Sequence, residues 1–336
     1  MFSRLSAAAP LAAPLVLALT AGLSAPLASA QTTRDYDALL RAEKHAEAER
    51  LADAALAKAP TDAVALAGKV SAMLNGPNAV KRVDDAVKLA ERCVEANPKT
   101  ALCHNSLGGA LGTKAISAGI MSAMGYAHRI RDAFKTAVEL DPKFTDARFN
   151  LLQYYLQAPG IVGGGKGKAR DLAEDTARVL PAAGALMRAN LLLSDDKTAE
   201  AEAIALRTVV GDDPDLQDQQ RSLIFAVGNQ YAGTKRWADA ARIYNEVMRR
   251  YPDSEWGPYG VGRTLHEQGR CSDAVPMYER SLSMKARAQA HFRLGQCLST
   301  LGDKARASTQ LTRALAMQPG LPKKLRDEAE SLLKTL

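Results

Sequence analysis

The sequence predicts an all-α protein assembled from stacked helix pairs, and three observations carry that expectation. First, 62 of the 336 residues are alanine while Phe, Trp and Tyr together make up only 5%. Closely packed helices suit that composition, whereas sheets favour β-branched and aromatic residues. Second, proline returns as Pro60, Pro98, Pro142, Pro181, Pro214, Pro252 and Pro319, with Ala286 standing where one more is expected. Third, small residues recur at fixed distances before each mark. A period of about 34 residues replaces the two-domain expectation that chain length alone would give.

The second helix of each unit is legible from these marks. Twelve residues back lie Ala48, Ala86, Ile130, Ala169, Glu202, Ala240, Ala274 and Ala307. Eight back are Ala52, Ala90, Phe134, Ala173, Leu206, Tyr244, Tyr278 and Leu311, and five back Ala55, Cys93, Ala137, Thr176, Val209, Val247, Ser281 and Ala314. Spacings of four and three put all three positions on one helical face, a seam where small side chains let helices approach closely. The first helices carry Gly108, Gly228, Gly262 and Gly295 at a shared position, with Leu107, Val227, Val261 and Leu294 before them, and Gly269 and Gly302 fall at turns between helices.

This pattern resembles the tetratricopeptide repeat family, with its small residues near repeat positions 8, 20 and 27, a bulkier one at 24 and proline at 32. The resemblance implies a right-handed α-solenoid of about eight helix-turn-helix repeats over residues 31–321, ending near 60, 98, 142, 181, 214, 252, 286 and 319. No helix pair buries its apolar face alone, so neighbours stack and the end needs a polar-faced cap. Residues 322–336 supply a capping helix, with Leu325, Ala329, Leu332 and Leu333 on one side and charges elsewhere. Repeat one has a shortened first helix, and repeat five has Glu202 where a small residue belongs. Three stretches exceed the repeat length: residues 75–78, an apolar turn around 115–125, and the glycine-rich 158–165.

Residues 1–30 read as a signal peptide. Arg4 forms the positive region, an apolar stretch from about Leu11 to Leu23 follows, and Ala28-Ser29-Ala30 has the small-x-small form of a cleavage site. Pro10, Pro14 and Pro26 favour cleavage over retention as an anchor. The expected location is therefore periplasmic or secreted, with no integral membrane segment after cleavage. Net charge is +7, a mild excess, and export argues against a nucleic-acid partner.

No constellation proposes chemistry. The segment Gly160 to Gly167 comes within one residue of a phosphate loop, but Gly167 stands where the Mg²⁺-binding hydroxyl belongs and a helix, not a strand, precedes it. His104 and His291 share a packing position on first helices, and His45 lies among Glu43, Glu47 and Glu49 on a solvated face. No nucleophile is paired with a base, so no catalytic residue, enzyme activity or cofactor is expected. The four cysteines are disulfide candidates in an oxidising compartment. Cys93 and Cys103 are equidistant from Pro98, and Cys271 and Cys297 from Met284, so each pair meets the geometry of a helical hairpin. The alternative is four small core residues. A metal site is not expected, because no C-x-x-C occurs and no Cys-His cluster reaches three ligands.

The family resemblance implies that first helices line a concave groove. Carrying the groove positions over gives Phe149, Gln153, Phe225, Asn229, Trp256, Tyr259, Arg263, His266, Phe292 and Gln296, an aromatic column beside amides and a guanidinium. Amides donate to and accept from a peptide backbone, while aromatics supply apolar area at low entropic cost. The alternative is that these aromatics pad interhelical gaps. The expected function is an exported, non-enzymatic scaffold binding a protein or extended peptide in this groove, in envelope assembly or secretion. The second expectation is a ligand-binding or transport accessory protein using the apolar 115–124 insertion (Ile116, Ile120, Met121, Met124) and the glycine-rich 158–167 loop.

Overall fold

The computed structural model describes residues 26–318 and 320–336, so most of the expected signal sequence lies outside it. Among the described residues there are seventeen α-helices and no strand. Eight pairs follow in order: α1 (Pro26–Arg41) with α2 (His45–Lys58), α3 (Ala63–Asn75) with α4 (Ala79–Ala96), α5 (Ala101–Ala118) with α6 (Ile120–Leu140), and α7 (Thr145–Gln157) with α8 (Lys166–Val179). Then come α9 (Pro181–Ser194) with α10 (Thr198–Arg207), α11 (Pro214–Gly233) with α12 (Trp237–Arg250), α13 (Trp256–Glu267) with α14 (Cys271–Met284), and α15 (Ala288–Thr300) with α16 (Lys304–Ala316). A single helix, α17 (Lys323–Thr335), closes the stack. The chain is an all-α solenoid.

Each odd-numbered helix packs on the next odd-numbered one, and among the described residues no even-numbered helix packs on another. The odd set therefore lies on the tighter, concave side. The even set buries the seam: Ala86, Ala90 and Cys93 in α4, Ala240, Tyr244 and Val247 in α12, and Ala307, Leu311 and Ala314 in α16 all have at most 1% of their surface exposed. The glycines of the first helices explain why a bulkier residue is tolerated in that seam. A Cβ on Gly108 would sit 2.5 Å from the Phe134 ring, on Gly228 2.5 Å from Tyr244, and on Gly295 2.8 Å from Leu311. Small and large residues of one repeat thus interlock at close-packed density.

Local signals place the boundaries. Asp62, Asp213 and Asp303 cap α3, α11 and α16 by accepting backbone N–H bonds at 2.8 to 3.1 Å. Pro181 and Pro214 are the first residues of α9 and α11, where their missing N–H is harmless. All eight turns between paired helices pass through a residue at positive φ: Gly119, Gly163, Gly269 and Gly302, but also Asn78, Glu43, Asp196 and Lys235. The last four bear the strain of a side chain at positive φ, which glycine avoids.

Two sequence expectations are corrected. In repeat five the seam is made by Ala201 and Ala205, both fully buried, rather than Glu202 and Leu206, and Val209 is 85% exposed. The reason is that α10 is only ten residues long and ends at Arg207, so counting back from Pro214 slips by one. The 115–125 insertion is not an extended turn. It lengthens α5 and α6 themselves, which break only at Gly119 with φ +83°.

The glycine-rich segment 158–165 folds around a short 3-10 turn, Gly160–Val162. The Tyr154 hydroxyl donates to the Val162 carbonyl at 2.6 Å, and Gly164 lies against the Ala158 carbonyl, where no Cβ would fit. Lys166 donates to the Ser194 carbonyl at 2.7 Å and pairs with Asp195. The lysine that mimicked a phosphate loop thus ties repeat four to repeat five.

The solenoid curls far enough to bring its first repeat to its sixth and to the joint of its seventh and eighth. Arg41, closing α1, pairs with Asp215 and Asp218 at the start of α11. Glu43 pairs with Lys285 and Arg287, between α14 and α15.

Candidate functional site

Repeats six and seven present a run of stacked rings on the concave helices. Phe225 on α11 lies 5.2 Å from Trp256 on α13, centroid to centroid, and Trp256 lies 5.8 Å from Tyr259 in an edge-on arrangement. All three are half-buried. Behind them Tyr244 stands 5.4 Å from Phe225 and Tyr278 6.0 Å from Tyr259, both fully buried. The buried rings fix the partly exposed ones, and offset or edge-on contacts suit aromatic quadrupoles.

Polar groups are set beside this run. The Tyr244 hydroxyl donates to Asn229 Oδ1 at 2.8 Å and accepts from Arg263 Nη2 at 3.3 Å. Burial pushes the Tyr244 hydroxyl up to about 12, so it stays a donor. With its oxygen occupied, Asn229 keeps its amide hydrogens for another acceptor. Gln296 accepts from Arg293 at 3.4 Å. The Arg287 guanidinium lies 5.5 Å from the Trp256 ring centre and pairs with Glu255 at 2.9 Å. Burial, followed by the Arg293 charge, holds the half-buried His266 imidazole below its usual range.

Of the ten groove residues expected from sequence, Phe225, Asn229, Trp256, Tyr259, Arg263, His266 and Gln296 are half-buried on these inner helices. Phe149 and Phe292 are not groove residues: they are 2% and 0% exposed. The short fifth repeat lets α11 reach α7, so the face of α7 is covered by α5, α9 and α11 together. Phe292 lies under the cap, packed with Leu311, Leu321 and Ala329. Gln153 is exposed and accepts from Gln157 at 3.1 Å.

The histidines and cysteines meet expectation only in part, at His291 and in the Cys93–Cys103 pair. His104 is half-buried, with Nε2 2.8 Å from the Pro98 carbonyl, whereas His291 is buried against Gln310 at 2.6 Å. His45 is half-buried beside Gly76 rather than fully solvated. Cys93 and Cys103 are joined in a disulfide with Cα atoms 5.3 Å apart. Cys271 and Cys297 are buried free thiols, not a bridge. They meet His266, and the ligand atoms of all three lie within 4.8 Å of one another. This overturns the expectation that no Cys-His cluster reaches three ligands. The turn at Gly269 folds α14 back on α13, and the α14–α15 hairpin delivers the third residue.

A second concavity was invisible in the sequence. Repeat one faces the starts of α11, α13 and α15 across a cavity of about 1720 Å³, lined by Asp37, Arg41, Asp146, Asp215, Arg221 and Trp256 among others. Burial, reinforced by Asp215 and Asp37, raises the Asp146 carboxyl to about 7 despite the Arg41 charge. These groups are up to 219 positions apart (Asp37 to Trp256), and no local pattern links them.

The repeats can be compared with known families at this point. A family model described as Tetratricopeptide repeat matches residues 259–322, and a second with the same description matches 224–254. These are tetratricopeptide repeats. The matched segments carry Phe225, Tyr244, Tyr259 and Tyr278 of the aromatic run, with Trp256 between the two matches, and its polar neighbours Asn229, Arg263 and Gln296. No curated protein matches the chain. Among solved structures, a tetratricopeptide repeat protein from Parabacteroides merdae is 12% identical, with 91% of this chain and 98% of that one covered and a TM-score of 0.45. The Cut9–Hcn1 hetero-tetramer of the APC/C is 13% identical, covering 93% of this chain and 56% of that one, with a TM-score of 0.47. The pilF protein of Pseudomonas aeruginosa is 15% identical, covering 65% and 98%, with a TM-score of 0.42. The tetratricopeptide fold supports a protein-interaction scaffold. Among the described residues no helix is long and apolar enough to cross a membrane.

Proposed function

We propose that this tetratricopeptide protein is an exported, non-enzymatic scaffold that holds an extended segment of a protein partner across repeats six to eight. The observation that carries this reading is the half-buried succession Phe225, Trp256 and Tyr259, braced from behind by buried Tyr244 and Tyr278. Rigid rings with a partly wet face offer apolar area without ordering cost, and Asn229, Arg263 and Gln296 supply hydrogen bonds to a backbone or carboxylate. The Cys93–Cys103 disulfide supports an oxidising location such as the periplasm or the medium, in keeping with the N-terminal signal pattern. A role in envelope assembly or secretion follows from that location.

The test is crosslinking and pull-down from the native envelope fraction with wild type and Trp256→Ala/Tyr259→Ala. Phe292 is left intact because its truncation would open the core. A specific protein recovered by wild type should bind the variant about 2 kcal/mol or more weakly if these rings are hot spots. Equal recovery by a folded variant removes the groove assignment.

A second reading, a ligand-binding or transport accessory, draws on exposed apolar residues at the long ends of repeats three and four, where Ile116 is 83% and Ile161 80% exposed. The side chains of Ile120 and Met121 lie outside the described residues. Ile116→Ser/Ile161→Ser would abolish ligand or lipid association on that reading and leave peptide binding intact.

A further inference from the structure

The cluster of His266, Cys271 and Cys297 is absorbed neither by the solenoid's packing logic nor by the partner face. His266 is near the end of α13, Cys271 is the first residue of α14, and Cys297 sits within α15. Three different helices thus place an imidazole and two sulfurs with all ligand atoms within 4.8 Å of one another. Two antiparallel packed helices bring a thiol pair together easily, but a third soft ligand completing a triangle is not required by packing.

We propose that these three side chains form a binding site for a thiophilic d¹⁰ metal ion of the Zn(II) type. Tetrahedral ligands at about 2.3 Å for sulfur and about 2.0 Å for nitrogen stand roughly 3.5–3.8 Å from one another, within a small side-chain rotation of the separations seen. Soft sulfur with imidazole selects zinc-like ions over calcium or magnesium. Charge favours the same answer. The surroundings are apolar, with Ala274, Leu294, Leu298 and Ala307 in the same core cluster, and a divalent cation with two thiolates and a neutral imidazole carries no net charge. Binding displaces two thiol protons to solvent and leaves one coordination position open.

The surroundings prepare the ligands. The Tyr278 hydroxyl lies 3.3 Å from His266 Nδ1, and its ring meets the imidazole edge-on at 6.2 Å, so the histidine is held in one orientation. His266 is half-buried while both cysteines are buried, so an ion reaches the sulfurs past the imidazole.

The experiment uses the purified, reduced protein titrated with Co(II) and then Zn(II), with a chromophoric chelator as competitor. One equivalent of Co(II) should give a thiolate-to-metal charge-transfer band that Zn(II) abolishes. Cys271→Ser and Cys297→Ser should each lose the band. His266→Ala should weaken binding beyond the roughly 10- to 100-fold that loss of a supporting group brings, and His104→Ala should leave it unchanged. Should a serine variant lose its helical circular dichroism, His266→Ala decides alone, because it keeps both sulfurs. Absence of the band in reduced wild-type protein, or its persistence in folded Cys271→Ser/Cys297→Ser, overturns the site. Isolation from native cells with Cys271 and Cys297 oxidised to a disulfide and no metal overturns it equally.

Discussion

Glu43, in the turn after the first helix, pairs with Lys285 at 2.8 Å and Arg287 at 3.1 Å, in the connection between the seventh and eighth repeats. Burial raises the Glu43 carboxyl, but the Lys285 and Arg287 charges outweigh it and hold it below its usual range. Among the described residues no packed helix pair joins these ends of the solenoid, so its curl is closed there by charges. Arg287 also holds Glu255 and overlies Trp256, which links the closure to the aromatic run.

Ionic closure predicts a salt-sensitive shape. Partly exposed pairs contribute about 0.2–1 kcal/mol each and are screened at high salt. Glu43→Ala, which leaves the buried Arg287–Glu255 pair intact, should therefore cost little stability but increase the radius of gyration in small-angle scattering. Wild type should expand likewise as salt is raised. A radius independent of both would mean that the ends are held otherwise.

Asp146 predicts a pH dependence. Its folded carboxyl titrates at about 7, above the 3.8 of an unperturbed aspartate, with Asp37, Asp215, Asp218 and Arg41 as its charged neighbours. Between those values the folded chain holds a proton that the unfolded chain releases. Stability from this group is thus complete below the lower value and falls as pH rises through the higher one, by at most about 1.4 kcal/mol per pH unit. Asp146→Asn should flatten that fall in urea unfolding between about pH 5 and about pH 8. An unchanged slope would place the titration elsewhere.

The Cys93–Cys103 bridge closes a loop of sequence separation 10 at the joint of repeats two and three. Constraining the unfolded chain over so short a loop is worth about 2–3 kcal/mol. Reductant should lower the unfolding midpoint of wild type and leave that of Cys93→Ala/Cys103→Ala unmoved. An equal shift in both would point to a different reducible bond.

Gly228 and Gly260 both press on Tyr244, where an added Cβ would collide with the ring. Gly228→Ala should destabilise by about 1–3 kcal/mol through overpacking and also disturb Asn229, which Tyr244 holds. Gly109→Ala, facing open space on α5, should instead stabilise by about 0.5–1 kcal/mol by reducing unfolded-chain freedom. Thermal unfolding of the two variants side by side checks both signs.

What the sequence by itself determined was the repeat. Prolines, seam residues and the glycines of the first helices report contacts within a helix pair or between adjacent pairs, so their spacing is local and survives as a period. The reading slipped where a mark was displaced from its helix, as with Ala201 and Ala205 behind the short α10. It also slipped where helices simply grew longer, as around Gly119. Only the tertiary structure decided which first-helix aromatics face outward. Phe149 and Phe292 occupy the same repeat position as Phe225 and Tyr259, yet a short neighbouring repeat buries one and the cap buries the other. Likewise, the Arg41–Asp215 contact, the proton on Asp146 and the meeting of His266 with Cys271 and Cys297 depend on curvature summed over many repeats or on a side chain's turn about its helix. A one-dimensional pattern carries the period of a solenoid, but not where its ends arrive.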